Sequence, residues 1–163
     1  MSDTIKKSQP MKILITLVLL STSLVAETIT GKVISVADGD TITILVDKTK
    51  HRIRLADIDA PELKGQPYGK ASKAHLSALV YNKLVLVEYT KKDRYGRLIG
   101  TVTSQKVNVN EAMVKAGLAW HYKLYSKSKI LSTMEKKAKA DKAGLWKQNK
   151  PIAPWTFRRA KKQ

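Results

Sequence analysis

The stretch Arg54-Leu55-Ala56-Asp57-Ile58-Asp59-Ala60-Pro61-Glu62 joins a basic, alternating segment to a turn that carries three carboxylates. It follows a shorter turn, Asp38-Gly39-Asp40-Thr41, which opens the β-branched run from Thr41 to Val46. Alternation of this kind buries every second side chain of a strand. Outward from that centre, Val33 to Val36, Thr41 to Val46, Arg52 to Ala56, Leu84 to Tyr89 and Leu98 to Thr103 read as five short strands. Elsewhere the period is helical. Tyr68 to Tyr81 places Ala71, Ala74, Leu76, Ala78 and Leu79 at helical spacing. A second helix begins at Asn108, a cap with Glu111 three residues on, runs through Val109, Ala112, Met113 and Ala116, and stops at Gly117. A third extends from about Ser128 to Ala143, with Leu131, Met134 and Ala138 inward and Gly144 as its end. This order predicts an α+β, mainly β domain: a five-stranded barrel of the oligonucleotide-binding type with about three helices.

The chain has 163 residues, room for one domain with its own core, and Lys+Arg 31 against Asp+Glu 13 give it a net charge of +18. A field of that strength draws polyanions and accelerates their encounter in a salt-dependent way. Cysteine is absent, which excludes disulfides and thiolate metal sites. His51, His75 and His121 lack metal-ligand spacing and read as surface or packing residues. The chemistry therefore falls to carboxylates and arginines. Asp40 and Asp59 offer hard oxygen ligands for a divalent ion, Glu62 offers a carboxylate able to deprotonate water, and Arg54 offers a donor fork for a phosphodiester. These are the parts of metal-assisted phosphoryl transfer. Each also has a plainer reading. Asp38-Gly39-Asp40 is a common hairpin turn, and Arg54 with Glu62 would make a surface ion pair worth at most ~1 kcal/mol. That second reading leaves Asp59 and Pro61 unexplained. Asp57 reads as exposed, Asp38 as structural, and Lys136, Lys137, Lys139 and Lys142 as the solvated face of the third helix.

Four separated segments, Asp38 to Thr41, Arg54 to Glu62, Asp93-Arg94-Tyr95-Gly96-Arg97, and Val109-Asn110-Glu111-Ala112-Met113-Val114-Lys115-Ala116-Gly117-Leu118-Ala119, together resemble the successive signatures of the staphylococcal nuclease family. The resemblance covers roughly Glu27 to Trp146, in order. It implies a secreted, calcium-dependent nuclease that cuts DNA and RNA with little sequence preference and leaves 3′-phosphate ends. It further implies calcium binding by Asp40, Asp59 and the Ala60 carbonyl, catalysis by Arg54, Glu62 and Arg97, and substrate contacts from Arg94, Tyr95 and Tyr125. Lys123 stands where the best-known member has a tyrosine, with Trp120 and Tyr122 nearby as alternative rings for base stacking.

The ends of the chain add location and organisation. Lys6, Lys7 and Lys12 precede the apolar run Ile13 to Leu20, and small residues then lead to a cleavage point after Ala26. Residues 1–26 thus read as a signal peptide, and the protein as secreted or periplasmic. The run is short for a membrane span, which sets the anchor reading behind the export reading. Residues 27–150 form the nuclease domain, and 151–163 a basic tail with Trp155 and Phe157 as anchors, for packing or for recognition. No stable protein partner is implied, and a monomer is expected. Two other classes compete, a degenerate nuclease-like binding domain and a basic architectural DNA-binding protein. Retention of both aspartates, Arg54, Glu62 and Arg97 argues against the first, and the leader against the second.

Overall fold

A computed structural model describes residues 26–161. Its strands are β1 (Glu27–Val36), β2 (Thr41–Val46), β3 (Thr49–Leu55), β4 (Ile58–Asp59), β5 (Leu84–Lys92), β6 (Leu98–Ser104), β7 (Val107–Asn108) and β8 (Trp120–His121). The helices are α1 (Gly69–Val80), α2 (Val109–Lys115), α3 (Lys129–Ala140) and α4 (Pro154–Ala160), with a 3-10 turn at Gly144–Lys147.

Five strands close a barrel. The antiparallel order is β3-β2-β1-β5-β6, and a parallel β3–β6 pairing that sets Arg54 beside Ile99 joins its ends. Alternation supplies the interior: Ile42 and Ile44 of β2, Ile53 and Leu55 of β3, Val85 and Val87 of β5, and Leu98 and Val102 of β6 are buried. Because Ile53 and Leu55 point inward, Arg54 between them must point out. The predicted mainly β barrel is therefore the observed fold. Strand β1 is longer than expected, since Glu27 to Lys32 also pairs with β5.

Two helical expectations are revised. The alanines of α1 face solvent, and the buried positions are Gly69, Ser72, Leu76 and Val80. Ser72 qualifies because its hydroxyl donates to the Leu118 carbonyl at 2.6 Å, so a polar residue that apolar counting skips holds the inward face. Among the described residues the helix count rises to four, since the tail folds into α4 with Pro154 at its start, where a missing N–H costs nothing. The Asn108 cap is as expected: its side chain accepts from the Glu111 N–H at 3.1 Å. In α3, Glu135 is buried beside Leu131 and Ala138. It accepts from the His121 N–H and from Lys123 and Lys139.

Candidate active site

Backbone ladders carry the two aspartates to one place. The Leu55 N–H donates to the Asp40 carbonyl at 2.8 Å, tying the first turn to the end of β3. Strand β4 pairs with β8, setting Asp59 opposite Trp120. Asn110 clamps the junction from behind: its amide donates to the Ala56 carbonyl and its oxygen accepts from the Val102 N–H. Gly39 allows the close approach, because a Cβ there would lie 2.7 Å from that of Ala60. Gly69 has the same role under Glu62, whose carbonyl a side chain at 69 would strike. The Glu62 N–H donates to Gln66, and Gln66 donates in turn to the Ile152 carbonyl.

The result is a compact polar centre. One nitrogen of Arg54 lies 3.2 Å from Asp40 Oδ2 and 2.9 Å from Asp59 Oδ1, and its other nitrogen donates to the Leu55 carbonyl. Asp40 Oδ2 also accepts the Ala60 N–H at 2.7 Å. The plainer pairing of Arg54 with Glu62 is not what forms. Glu62 instead accepts from Arg158 of α4 at 2.7 Å, and the same guanidinium grips Asp59 through both of its oxygens, at 3.2 and 2.9 Å.

Electrostatics set Asp40 apart from an ordinary carboxylate. Asp40 is pushed up to about 7, first by burial, with Arg54 opposing and Asp38 and Asp59 adding repulsion. Two buried, converging carboxylates are oxygen ligands of the kind a hard divalent ion takes, and Arg54 and Arg158 hold them here. Among the described residues no group of three or more His, Cys, Asp or Glu side chains converges as a metal site. A calcium ion at this place would draw on Asp40 and Asp59, with Ala60 the third ligand that the family resemblance implies, and so small a set would leave positions for water and phosphate. On Arg158, the bonds to Asp59 and Glu62 outweigh a burial effect of opposite sign and raise its pKa.

The other predicted residues stand across an open cleft of about 1900 Å³, which Arg94, Tyr95, Arg97 and Tyr125 line together with the polar centre. Arg97 sits in the β5–β6 turn, its Nε 2.7 Å from Asp93, and Asp93 also accepts the Arg97 and Tyr95 N–H groups. Arg94 lies 4.8 Å over the Tyr95 ring. Tyr125 is 70% exposed and meets Tyr122 edge-on. Lys123 is bound to Glu135 at 2.8 Å, so its charge supports the protein. Behind it runs a row of rings: Tyr122 stacks on Trp155 at 5.1 Å, Trp155 meets Trp120, and Trp120 meets Trp146. Sequence reasoning missed Arg158, Gln66 and Asn110. The tail offered a signal in Pro154 followed by Trp155 and Phe157, yet nothing distinguished Arg158 from the basic residues around it.

A barrel with a buried carboxylate pair, a rim carboxylate and arginines on one open cleft defines a phosphodiester-cleaving class. The profile described as staphylococcal nuclease homologue matches residues 52–148. An "Uncharacterized endonuclease" of Haemophilus influenzae is 46% identical over 156 residues, covering 93% of this chain and 87% of the relative. One from Escherichia coli is 43% identical over 132 residues, covering 80% and 86%. A "Micrococcal nuclease" of Shigella flexneri is 39% identical over 143 residues, covering 81% and 82%. The chain belongs to the staphylococcal nuclease family, and it is a nuclease.

Proposed function

We propose that the protein is an exported, monomeric, calcium-dependent nuclease that hydrolyses DNA and RNA with little sequence preference and leaves 3′-phosphate ends. The observation that carries this is the buried Asp40–Asp59 pair sharing Arg54, with Glu62 at its edge. Asp40 and Asp59 would hold the ion, which when bound would polarise the phosphate as a Lewis acid. Glu62, half-exposed where water reaches it, takes the proton of the attacking water. Arg54 and Arg97 offer planar donor forks to the extra negative charge of the phosphorane-like transition state, so they act on turnover more than on binding. Arg94, Tyr95 and Tyr125 hold the strand by charge and ring faces, contacts that read no base and fit broad substrate use.

Export rests on residues 1–26, which lie almost wholly outside the described residues. It agrees with the ion, since calcium is plentiful outside cells and an unspecific nuclease is safest there. Incubating the purified protein with single-stranded DNA and with RNA, in calcium and in chelator, tests the activity. Degradation of both in calcium alone, with 3′-phosphate products, is expected; full activity in chelator contradicts the reading. Mass spectrometry of the native protein should find a chain beginning near Glu27.

A further inference from the structure

The α4 helix does more than cover the domain. Arg158 takes both carboxylate oxygens of Asp59 and one of Glu62, the two groups to which ion ligation and water activation are assigned. Those uses compete. An Asp59 oxygen donated to an ion cannot keep its full share of Arg158, and the Glu62 oxygen held at 2.7 Å by the same guanidinium is occupied rather than free to meet a water. Charge points the same way. Asp40, Asp59 and Glu62 against Arg54 and Arg158 leave one negative charge; adding a dication leaves one positive, whereas exchanging Arg158 for it leaves none. The arginine is well placed to move, since its side chain is 40% exposed while that of Asp59 is 1% exposed. Helix α4 need not leave with it, because Trp155 stays stacked on Tyr122 and against Trp120.

We infer that Arg158 is a further active-site residue, an internal counter-ion that holds Asp59 and Glu62 until a divalent cation displaces it, and that thereby sets the cation concentration at which the site fills. The inference rests on the ion-binding role proposed for Asp59. Its contact comes from α4, outside the stretch that the family profile matches.

Calcium titration calorimetry on the whole protein, without nucleic acid, tests it. Arg158→Gln removes the competitor and should tighten calcium binding by about 10- to 100-fold, the scale of a lost bidentate charged contact and a lost nearby positive charge. Arg158→Lys keeps the charge without the fork and should fall between that variant and the wild type, which also covers the case where Arg158→Gln folds poorly by circular dichroism. Arg159→Gln removes the same charge from the same helix without touching Asp59 and should stay within about twofold. A merely structural role for Arg158 predicts weaker calcium binding in its variants. Unchanged or weaker affinity in Arg158→Gln, with the wild type binding normally, overturns the inference alone, as does equal tightening in Arg159→Gln. Calcium binding by none of the proteins overturns both the inference and the calcium reading.

Discussion

The floor of the cleft and its rim are built differently. On the floor, Asp59 and Asp40 are 1% and 6% exposed, and backbone ladders from β3, β4 and β8 fix their places. On the rim, Tyr95 and Tyr125 are 64% and 70% exposed, and Arg94 and Arg97 hang from a hairpin turn, Arg94 bonding to Tyr95 and Arg97 to Asp93. The buried floor fixes where charge is held, while the exposed rim holds a strand near it and, through Arg97, reaches toward the reacting phosphate. Effects on turnover should therefore concentrate at the floor, its edge and Arg97, and effects on binding should spread over the rest of the rim and the outer surface.

The largest effect is expected at the edge. Glu62→Gln keeps shape and loses the base, so turnover should fall about 10²- to 10⁴-fold while DNA affinity in calcium stays within a few fold; near wild-type turnover would show that another group activates the water. The arginines come next and divide the two regions. Arg54→Lys and Arg97→Lys both lose the planar fork and should slow the reaction by roughly 10²-fold or more. Arg54→Lys should also alter calcium binding, because Arg54 touches both aspartates, whereas Arg97→Lys should not, since Arg97 pairs with Asp93. Identical calcium affinities for the two variants would erase the distinction between floor and rim.

A smaller effect tests what supports the floor from behind. Glu135 braces β8, the partner of the strand that bears Asp59. Burial raises its pKa, but the bonds and charges of Lys123 and Lys139 prevail and lower it below the usual 4.5. A lowered folded-state value means stability that is complete above the unfolded value and lost as pH falls through the folded one. Glu135→Gln should thus cost about 1–3 kcal/mol at neutral pH, and thermal melts should show the gap to wild type closing below pH 4.5. A gap independent of pH would mean that shape, not charge, is what Glu135 supplies. The smallest effect belongs to the outer surface. Neutralising Lys136 and Lys137 together should weaken DNA binding only modestly, through the general field, and flatten its salt dependence, with turnover at saturating substrate unchanged.

The same contrast explains what the sequence disclosed. Strand β6 alternates throughout and β2 and β3 over part of their length, so Ile42, Ile44, Ile53, Leu55 and Val102 announce the barrel, and the motif residues at strand ends follow from it. Asp40, Arg54, Asp59 and Glu62 were legible because local chain direction and a few turns bring them together. Arg158 was not, since it reaches Glu62 across 96 positions of sequence through a helix whose docking depends on Trp155 meeting rings from β8 and beyond. Composition marks Arg158 only as one basic residue among several. The α1 face was misread for a related reason: Ser72 is inward because Leu118, far along the chain, offers it a carbonyl.

The central claim is that the two floor aspartates form a single calcium site. Calorimetric titration of calcium into the wild type and into Asp59→Asn, in the absence of nucleic acid, addresses it most directly. The account predicts one site in the wild type and a loss of affinity of at least about 10-fold in the variant, which keeps the shape but not the charge of a hard-ion ligand. Equal calcium binding by both proteins would contradict it.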